Sequence, residues 1–338
     1  MKLDWKTALG VALSALLLWW TLRGVPLDDV WTALRQSNGG LFVACAVTAT
    51  SIFLLRARRW RTILEPSAGR LPFAPLWRST AIGMMMNNVF PYRAGEFARA
   101  FALTREVPRV PISTALGSLA VDRIFDAIVL LALMFGALLD PAFPDGVTLL
   151  GRTVPQVAAG GIVVVVALLA ICYAMVLQAT RTIELAGWVA RRVTPKHEAR
   201  LVRFVEHGVG GLTVLRDSRR FLAVLWWAAA HWVVHAIALY LGFLAVGIDV
   251  PFTAALFVQG VIGIGVAIPS SPGYVGVFEA SSSVGLAVYG VPNSLALSWA
   301  IGYHVLTFIP ITVMGAVYFS RLGLSVGAVT TAKSASPV

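Results

Sequence analysis

Charge is scarce in this chain of 338 residues: only 13% of them are Asp, Glu, Lys or Arg, while 58% are hydrophobic. A mean hydropathy of +0.80 excludes an ordinary soluble domain. Cysteine is scarcer still. Cys45 and Cys172 stand singly inside apolar runs, without metal-ligand spacing or an extracellular partner, so both read as packing residues rather than a disulfide framework. The phosphate-cradling pattern G-x-x-x-x-G-K-[ST] is missing, which removes support for direct drive by ATP. No Ser-His-Asp order, metal motif or cofactor loop is present either, so the sequence offers no catalytic residues, no metal and no cofactor. Acids are few, 16 against 27 Lys and Arg, leaving a net charge of +11.

What the chain does have is apolar runs long enough to cross a bilayer as helices. The run from Thr7 to about Thr21 has the length of a signal-peptide core, but no small-residue cleavage site and no soluble domain follow it, so it is read as a first transmembrane helix. Two later stretches end in the same break, Pro91-Tyr-Arg-Ala-Gly95 and Pro272-Gly-Tyr-Val-Gly276, 181 residues apart. The same offset carries the span 40 to 56 onto the start of 221 to 246, and 113 to 139 onto 294 to 320. Residues 40–139 and 221–320 therefore share one plan of span, broken hairpin and span, with 140–220 as linker span and cytoplasmic segment. The competing reading is chance recurrence of Pro and Gly, which are common in membrane helices.

Charge placement orients the segments. Arg56, Arg58, Arg59, Arg61, Arg70 and Arg78, against Glu65 alone, mark a cytoplasmic loop, and Arg93, Arg99, Arg105 and Arg109 mark another. Residues 73 to 90 between them are predicted to enter and leave on the same side, as a re-entrant hairpin ended by Pro91 and Gly95. Residues 179 to 220 carry nine Arg or Lys against four acids and are also placed in the cytoplasm. That makes 252 to 290 a second hairpin from the opposite face. Of the 27 basic residues, only Arg23, Arg35 and Arg152 then fall outside and Arg123 within the membrane, so the charge reflects topology and a surface for anionic lipids rather than nucleic acid.

The predicted fold is an all-α integral membrane protein. It has six full spans, near 7–23, 40–56, 113–139, 155–178, 221–246 and 294–320, plus two opposed re-entrant helical hairpins in an inverted-topology repeat. Both termini are cytoplasmic, in a prokaryotic plasma membrane. Residues 181 to 217 read as amphipathic helices on the membrane surface, broken at Pro195, and 330–338 as a disordered tail. Inverted repeats with interrupted helices place a binding site near the midplane in secondary transporters, because free helix ends there supply donors and acceptors.

The chemistry rests on ionisable groups that a membrane would otherwise exclude. Asp122, Arg123 and Asp126 share one turn of the third span; one base against two acids leaves a negative surplus that calls for another cation, a proton or a substrate amine. An internal salt bridge that only locks helices is the structural alternative. At the offset of 181, Arg123 corresponds to His304 and Asp122 to Tyr303. His231 and His235, at i and i+4, are either buried neutral rings or titrating groups; no third ligand accompanies them at motif spacing. Glu279 is either a helix cap favoured by the dipole or a site acid. Around the first break stand Asn87, Asn88, Arg93, Glu96 and Arg99. The arginines suit phosphate by bidentate pairing or serve as cytoplasmic anchors, and the asparagines need hydrogen bonds from broken backbone or ligand. Pro269 and Gly273 flank the second break.

Taken in order, Asn87-Asn-Val-Phe-Pro91-Tyr-Arg93-Ala-Gly95-Glu96-Phe-Ala-Arg99, then Asp122-Arg123, then Ile268-Pro-Ser-Ser-Pro272-Gly-Tyr-Val-Gly276-Val-Phe-Glu279 resemble the flippase-like membrane family that includes the transmembrane region of lysylphosphatidylglycerol synthases. The resemblance covers nearly the whole chain. It implies an eight-segment membrane domain that moves lipids or lipid-linked headgroups between leaflets, with motif positions at Arg93, Gly95, Glu96, Asp122, Arg123, Pro272, Gly276 and Glu279. The aminoacyltransferase domain of the bifunctional synthases is not seen after Arg321, so the expectation is translocation rather than enzymatic synthesis. Membrane lipids are the expected partner, with a separate lipid-modifying enzyme as a further one. The rival expectations are a transporter of a small ion or solute and a membrane-embedded lipid-modifying enzyme.

Overall fold

Proline punctuates this chain. Pro26, Pro72, Pro111, Pro251 and Pro292 each occupy the position just before a helix, where a missing N–H costs nothing and a fixed φ aims the chain into the first turn. The computed structural model describes residues 26–90, 94–149, 151–193, 217–268 and 271–325, with isolated positions at 16, 19, 22, 23, 198, 202 and 206. Among them the elements are α1 (Leu27–Gln36), α2 (Gly39–Ala68), α3 (Phe73–Val89), α4 (Gly95–Glu106), α5 (Ile112–Ala137), a two-stranded ribbon of β1 (Thr148–Leu149) and β2 (Arg152–Thr153), α6 (Val154–Leu177), α7 (Ala179–Val193), α8 (Ser218–Ala245), α9 (Phe252–Ala267), a 3₁₀ turn (Pro272–Tyr274), α10 (Val277–Ala287) and α11 (Asn293–Arg321). The all-α membrane fold is therefore present. The short helix α1 and the ribbon were not legible in the hydropathy pattern.

Four of the described helices, α2, α6, α8 and α11, are long and apolar enough to cross a membrane. Helix α5, with 26 residues, is as long as a span but carries Asp122, Arg123 and Asp126 in its middle. Apart from positions 16, 19, 22 and 23, the predicted span 7–23 lies outside the described residues, as do the break at Pro195 and the tail 330–338. The spans are longer than the apolar runs. Helix α2 continues through Arg56–Arg61 to Ala68, so what the sequence presents as a cytoplasmic loop is three further helical turns.

The first hairpin also differs from the prediction. Residues 73 to 89 form one unbroken helix, and the segment expected to be a loop, containing Arg99 and Arg105, is the return helix α4. The break is thus the tip of the hairpin and not its exit. Glycine makes the tip possible: a Cβ on Gly95 would stand 2.0 Å from the carbonyl oxygen of Gly83, and one on Gly83 would stand 2.8 Å from that of Gly95. The two backbones meet where no side chain fits. Asn87 Oδ1 accepts the Gly95 N–H at 2.8 Å, satisfying a donor at the start of α4. Asn88 donates from Nδ2 to Thr312 Oγ1 at 3.0 Å. Both asparagines thus find the partners their depth requires.

The second hairpin follows the prediction more closely, with α9 and α10 joined through the 3₁₀ turn. Packing then interleaves the halves. Helix α2 lies along α8, α5 packs on α9 of the other half, and α11 packs on α3. The two breaks meet across α11, for a Cβ on Gly273 would stand 2.8 Å from the Phe308 ring and 3.4 Å from the Asn88 carbonyl oxygen. An apolar core of α8, α9 and α11 residues, including Phe243, Val258 and Trp299, fixes this arrangement.

Candidate functional site

The interleaving brings four helices to one charged cluster. Helix α2 contributes Arg56 and Arg59, three residues apart and so on one face, α4 contributes Glu96 and Arg99 by the same spacing, α5 contributes Asp122, Arg123 and Asp126, and α8 contributes His231 and Trp232. Arg59 is fully buried, and its guanidinium bridges both aspartates: Nε donates to Asp122 Oδ1 at 2.6 Å and Nη1 to Asp126 Oδ1 at 2.8 Å. Arg99 Nη1 donates to Asp122 Oδ2 at 3.1 Å, while its guanidinium lies 4.1 Å above the Trp60 ring. Trp60 is held in turn by its Nε1–H donating to Ser118 Oγ at 2.8 Å. Asp126 also accepts from Trp232 Nε1 at 3.1 Å and from Arg123 Nη1 at 3.4 Å, and Arg56 Nη2 stands 3.7 Å from it. Arg123 closes the cluster toward the outside, pairing with Glu96 at 2.5 Å.

The charge balance reverses the expectation. Arg123 with two aspartates had implied a missing cation, but the structure supplies Arg56, Arg59 and Arg99 as well, giving four guanidinium groups against the three carboxylates of Asp122, Asp126 and Glu96. The surplus is positive. Arg56 Nε and Nη2, Arg59 Nη2, and Arg99 Nε and Nη2 are buried without an acceptor in the protein. Such donors are costly unless something satisfies them. All four aspartate oxygens, by contrast, are already engaged. The acceptor left over is Glu96 Oε2, which is buried without a partner. Arg56, Thr80, Met84, Asn87, Glu96, Arg99 and Arg123 enclose a cavity of about 10 Å³, the room of about one water molecule.

Of the residues singled out in the sequence, Glu96, Arg99, Asp122, Arg123 and Asp126 come together here, and Asn87 and Gly95 line the same cavity. Arg93, Pro91 and Pro269 lie outside the described residues. Glu279 and His304 form a pair of their own: His304 Nδ1 and Glu279 Oε1 are 2.7 Å apart. Of the two readings the sequence left open for Glu279, the cap is present: its Oε2 accepts the Gly276 N–H at 2.6 Å at the start of α10. His231 and His235 diverge. His231 faces Asp126 at 3.6 Å, whereas His235 meets Gln259 Oε1 at 3.2 Å and the Tyr303 hydroxyl at 3.5 Å. Among the described residues no three His, Cys, Asp or Glu side chains gather as a metal site. Sequence reasoning missed Arg56 and Arg59. Their i, i+3 spacing, in phase with buried Phe53, Trp60 and Ile63, was the available signal, hidden by the exposed Arg58 interleaved with them.

A buried arginine–aspartate lattice at the tip of a broken hairpin invites comparison with known membrane proteins. The lysylphosphatidylglycerol synthase TM region matches residues 7–315. The chain belongs to this family. Its relatives include a protein named glycosyltransferase AglD from Haloferax volcanii, 26% identical over 97% of this chain and 56% of that protein. The chain thus spans little more than half the length of that relative. A UPF0104 membrane protein of Methanothermobacter thermautotrophicus is 25% identical over 87% of both chains, and one of Pyrococcus horikoshii is 22% identical over 91% of this chain and 94% of its own. Family membership together with the four long apolar helices makes this an integral membrane protein.

Proposed function

We propose that the protein is a lipid translocase, in which the arginine cluster receives the phosphate of a lipid headgroup at the tip of a re-entrant hairpin while the hydrocarbon chains stay in the bilayer. The observation that carries this reading is the positive surplus with its buried, unaccepted guanidinium donors. A phosphate offers several oxygens to such forks, and Arg56, Arg99 and Arg123 surround the cavity from three sides. Glu96 Oε2 beside them is suited to a headgroup amine or hydroxyl. Asp122 and Asp126 act as the fixed frame that holds the guanidinium groups in place, not as amine receptors.

Lengths support the re-entrant geometry. At 1.5 Å per residue, α3 and α9, with 17 and 16 residues, reach about 25 Å, and α4 and α10 are shorter, against a hydrocarbon core of about 30 Å. Each of the four arms is shorter than that core. With α5 and the first apolar run counted as spans, six crossings and two hairpins result. The family name and the apolar groove beside Glu279, about 430 Å³ in volume, also favour a lipid over a water-soluble substrate. The small size of the cavity at the cluster gives one specific support to a second reading, a transporter of a small anion.

Purified protein in liposomes with a fluorescent phospholipid, followed by dithionite quenching, tests the proposal. Fast loss of the protected signal, slowed at least ten-fold in Arg99→Gln and Arg123→Ala, is the expected result. Folded protein that moves no anionic, zwitterionic, aminoacylated or prenyl-linked probe but takes up radiolabelled phosphate would replace it by the small-anion reading.

A further inference from the structure

The two halves build the same tie twice from different bases. Glu96 lies in the first turn of the return helix α4, and Glu279 in the first turn of the return helix α10. Each reaches a base on the last helix of its own half, Arg123 at 2.5 Å and His304 at 2.7 Å. Arg123 and His304 are 181 residues apart, the offset that relates the two breaks, so they occupy corresponding places on α5 and α11. We propose that Glu279–His304 is a protonation-sensitive latch on the second hairpin, and that Glu96–Arg123 is its permanently charged counterpart on the first.

The chemistry of the two bases makes the difference. A guanidinium keeps its charge at any pH the protein meets, whereas an imidazole exchanges its charge near neutrality. With imidazolium the pair is a charge-assisted bond between ions. With neutral imidazole it is a single N–H donating to a carboxylate, and weaker. The carboxylate also holds the break: the same Glu279 caps α10 through the N–H of Gly276, whose φ of +85° only glycine adopts readily. Loosening the latch therefore loosens the cap.

Among the described residues, the side chains around the pair are mostly aromatic. From α10, Phe278 lies 4.9 Å from the His304 ring; on α11, Phe308 lies 6.1 Å away, and neighbouring Tyr303 turns to His235 of α8. From α3, Asn88 is bonded to Thr312. Among the described residues no Lys, Arg or second carboxylate forms an ion pair with either member. The pair also lies in the wall of the 430 Å³ groove with Val275, Ile301, Val305 and Ile309, so parting α10 from α11 changes the width of that groove. Pro310, six residues beyond His304, removes one rung of the α11 ladder at the same place.

This inference goes beyond the lipid reading, because it concerns hairpin movement and is tested without a lipid substrate. Hydrogen exchange is measured on the full chain in lipid nanodiscs at pH 5.5 and 8.5, corrected for intrinsic chemical rates, with α4 as the internal reference for α10. The expected result is exchange of the first α10 amides faster by roughly ten-fold at the higher pH, the ratio for a charge-assisted hydrogen bond becoming an ordinary one, and no matching change in α4. His304→Arg abolishes the difference, and Arg123→His transfers it to α4. A pH response equal in wild type and His304→Arg, or absent from folded wild type, would overturn the proposal. Should Arg123→His not fold, the His304→Arg comparison decides alone. A protected signal that persists under dithionite, together with an intact latch response, would sink the lipid reading and leave this one standing.

Discussion

The two breaks look alike in sequence and are held in unlike ways. At the first, α3 and α4 touch backbone to backbone at Gly83 and Gly95, and a lattice of arginines and carboxylates lies beside the tip. At the second, the chain turns through two positive-φ glycines, Gly273 and Gly276, and a carboxylate–imidazole pair, Glu279 and His304, stands beside it. A motif of Pro and Gly therefore specifies where a helix stops, but the partners brought by other helices specify how firmly. The first break adjoins a charged cluster; the second adjoins an apolar groove lined by Glu279 and His304.

The sharpest way to break this comparison is to remove the keystone of the charged side. Arg59→Met leaves Asp122 and Asp126 without their main donor, and the cost expected for breaking a buried ion network from one side is about 3–5 kcal/mol. A drop in thermal stability in detergent larger than that of any change at Glu279 is the outcome to look for. Next come the glycines. Gly95→Ala forces a Cβ into the Gly83 carbonyl and the Asn87 side chain, whereas Gly247→Ala, with nothing within 4 Å of the added Cβ, meets only an unfavourable φ, at about 1–2 kcal/mol. The same melting assay should rank Gly95→Ala as clearly more damaging, and equal effects would contradict the close-approach argument.

A third change separates frame from receptor. Arg99→Gln cancels the positive surplus while Arg59 still holds both aspartates, so it should cost less stability than Arg59→Met yet slow lipid movement at least ten-fold. Stability and activity falling together in proportion would mean that Arg99 is only part of the frame. The smallest effect lies outside the membrane, where Asp140 after α5 accepts from the Thr253 hydroxyl at the start of α9 and from the Ala142 N–H. These bonds lower its carboxyl below the usual range. The folded state gains from this group above the unfolded Asp value of about 3.9, and the gain is lost as the pH falls through the lowered folded value. Asp140→Asn should thus trim the melting temperature slightly at neutral pH and not at all well below pH 3.

Much of the site was legible as residues and little of it as geometry. Of the residues proposed to meet a headgroup, Glu96, Arg99, Asp122, Arg123 and Asp126 meet in the cluster, whereas Glu279 and His304 pair apart from it and Arg93 lies outside the described residues. Arg56 and Arg59 were hidden, since a run of arginines after an apolar stretch reads as an anchor until the helix is known to continue. Hairpin one was misplaced for the related reason that basic residues were assigned to loops, although Arg99 is buried on the return helix.

The sequence by itself determined the class, the helical content and the places where helices break, because hydropathy, proline and glycine act locally and leave their marks in order along the chain. Only the tertiary structure decided that the tip of the first hairpin carries a positive surplus, that Asp122 and Asp126 are fully occupied and that Glu279 finds His304. Those facts depend on which side chains other helices bring to within about 3 Å, and hydrogen-bond satisfaction at that range is a property of packed neighbours, not of sequence spacing.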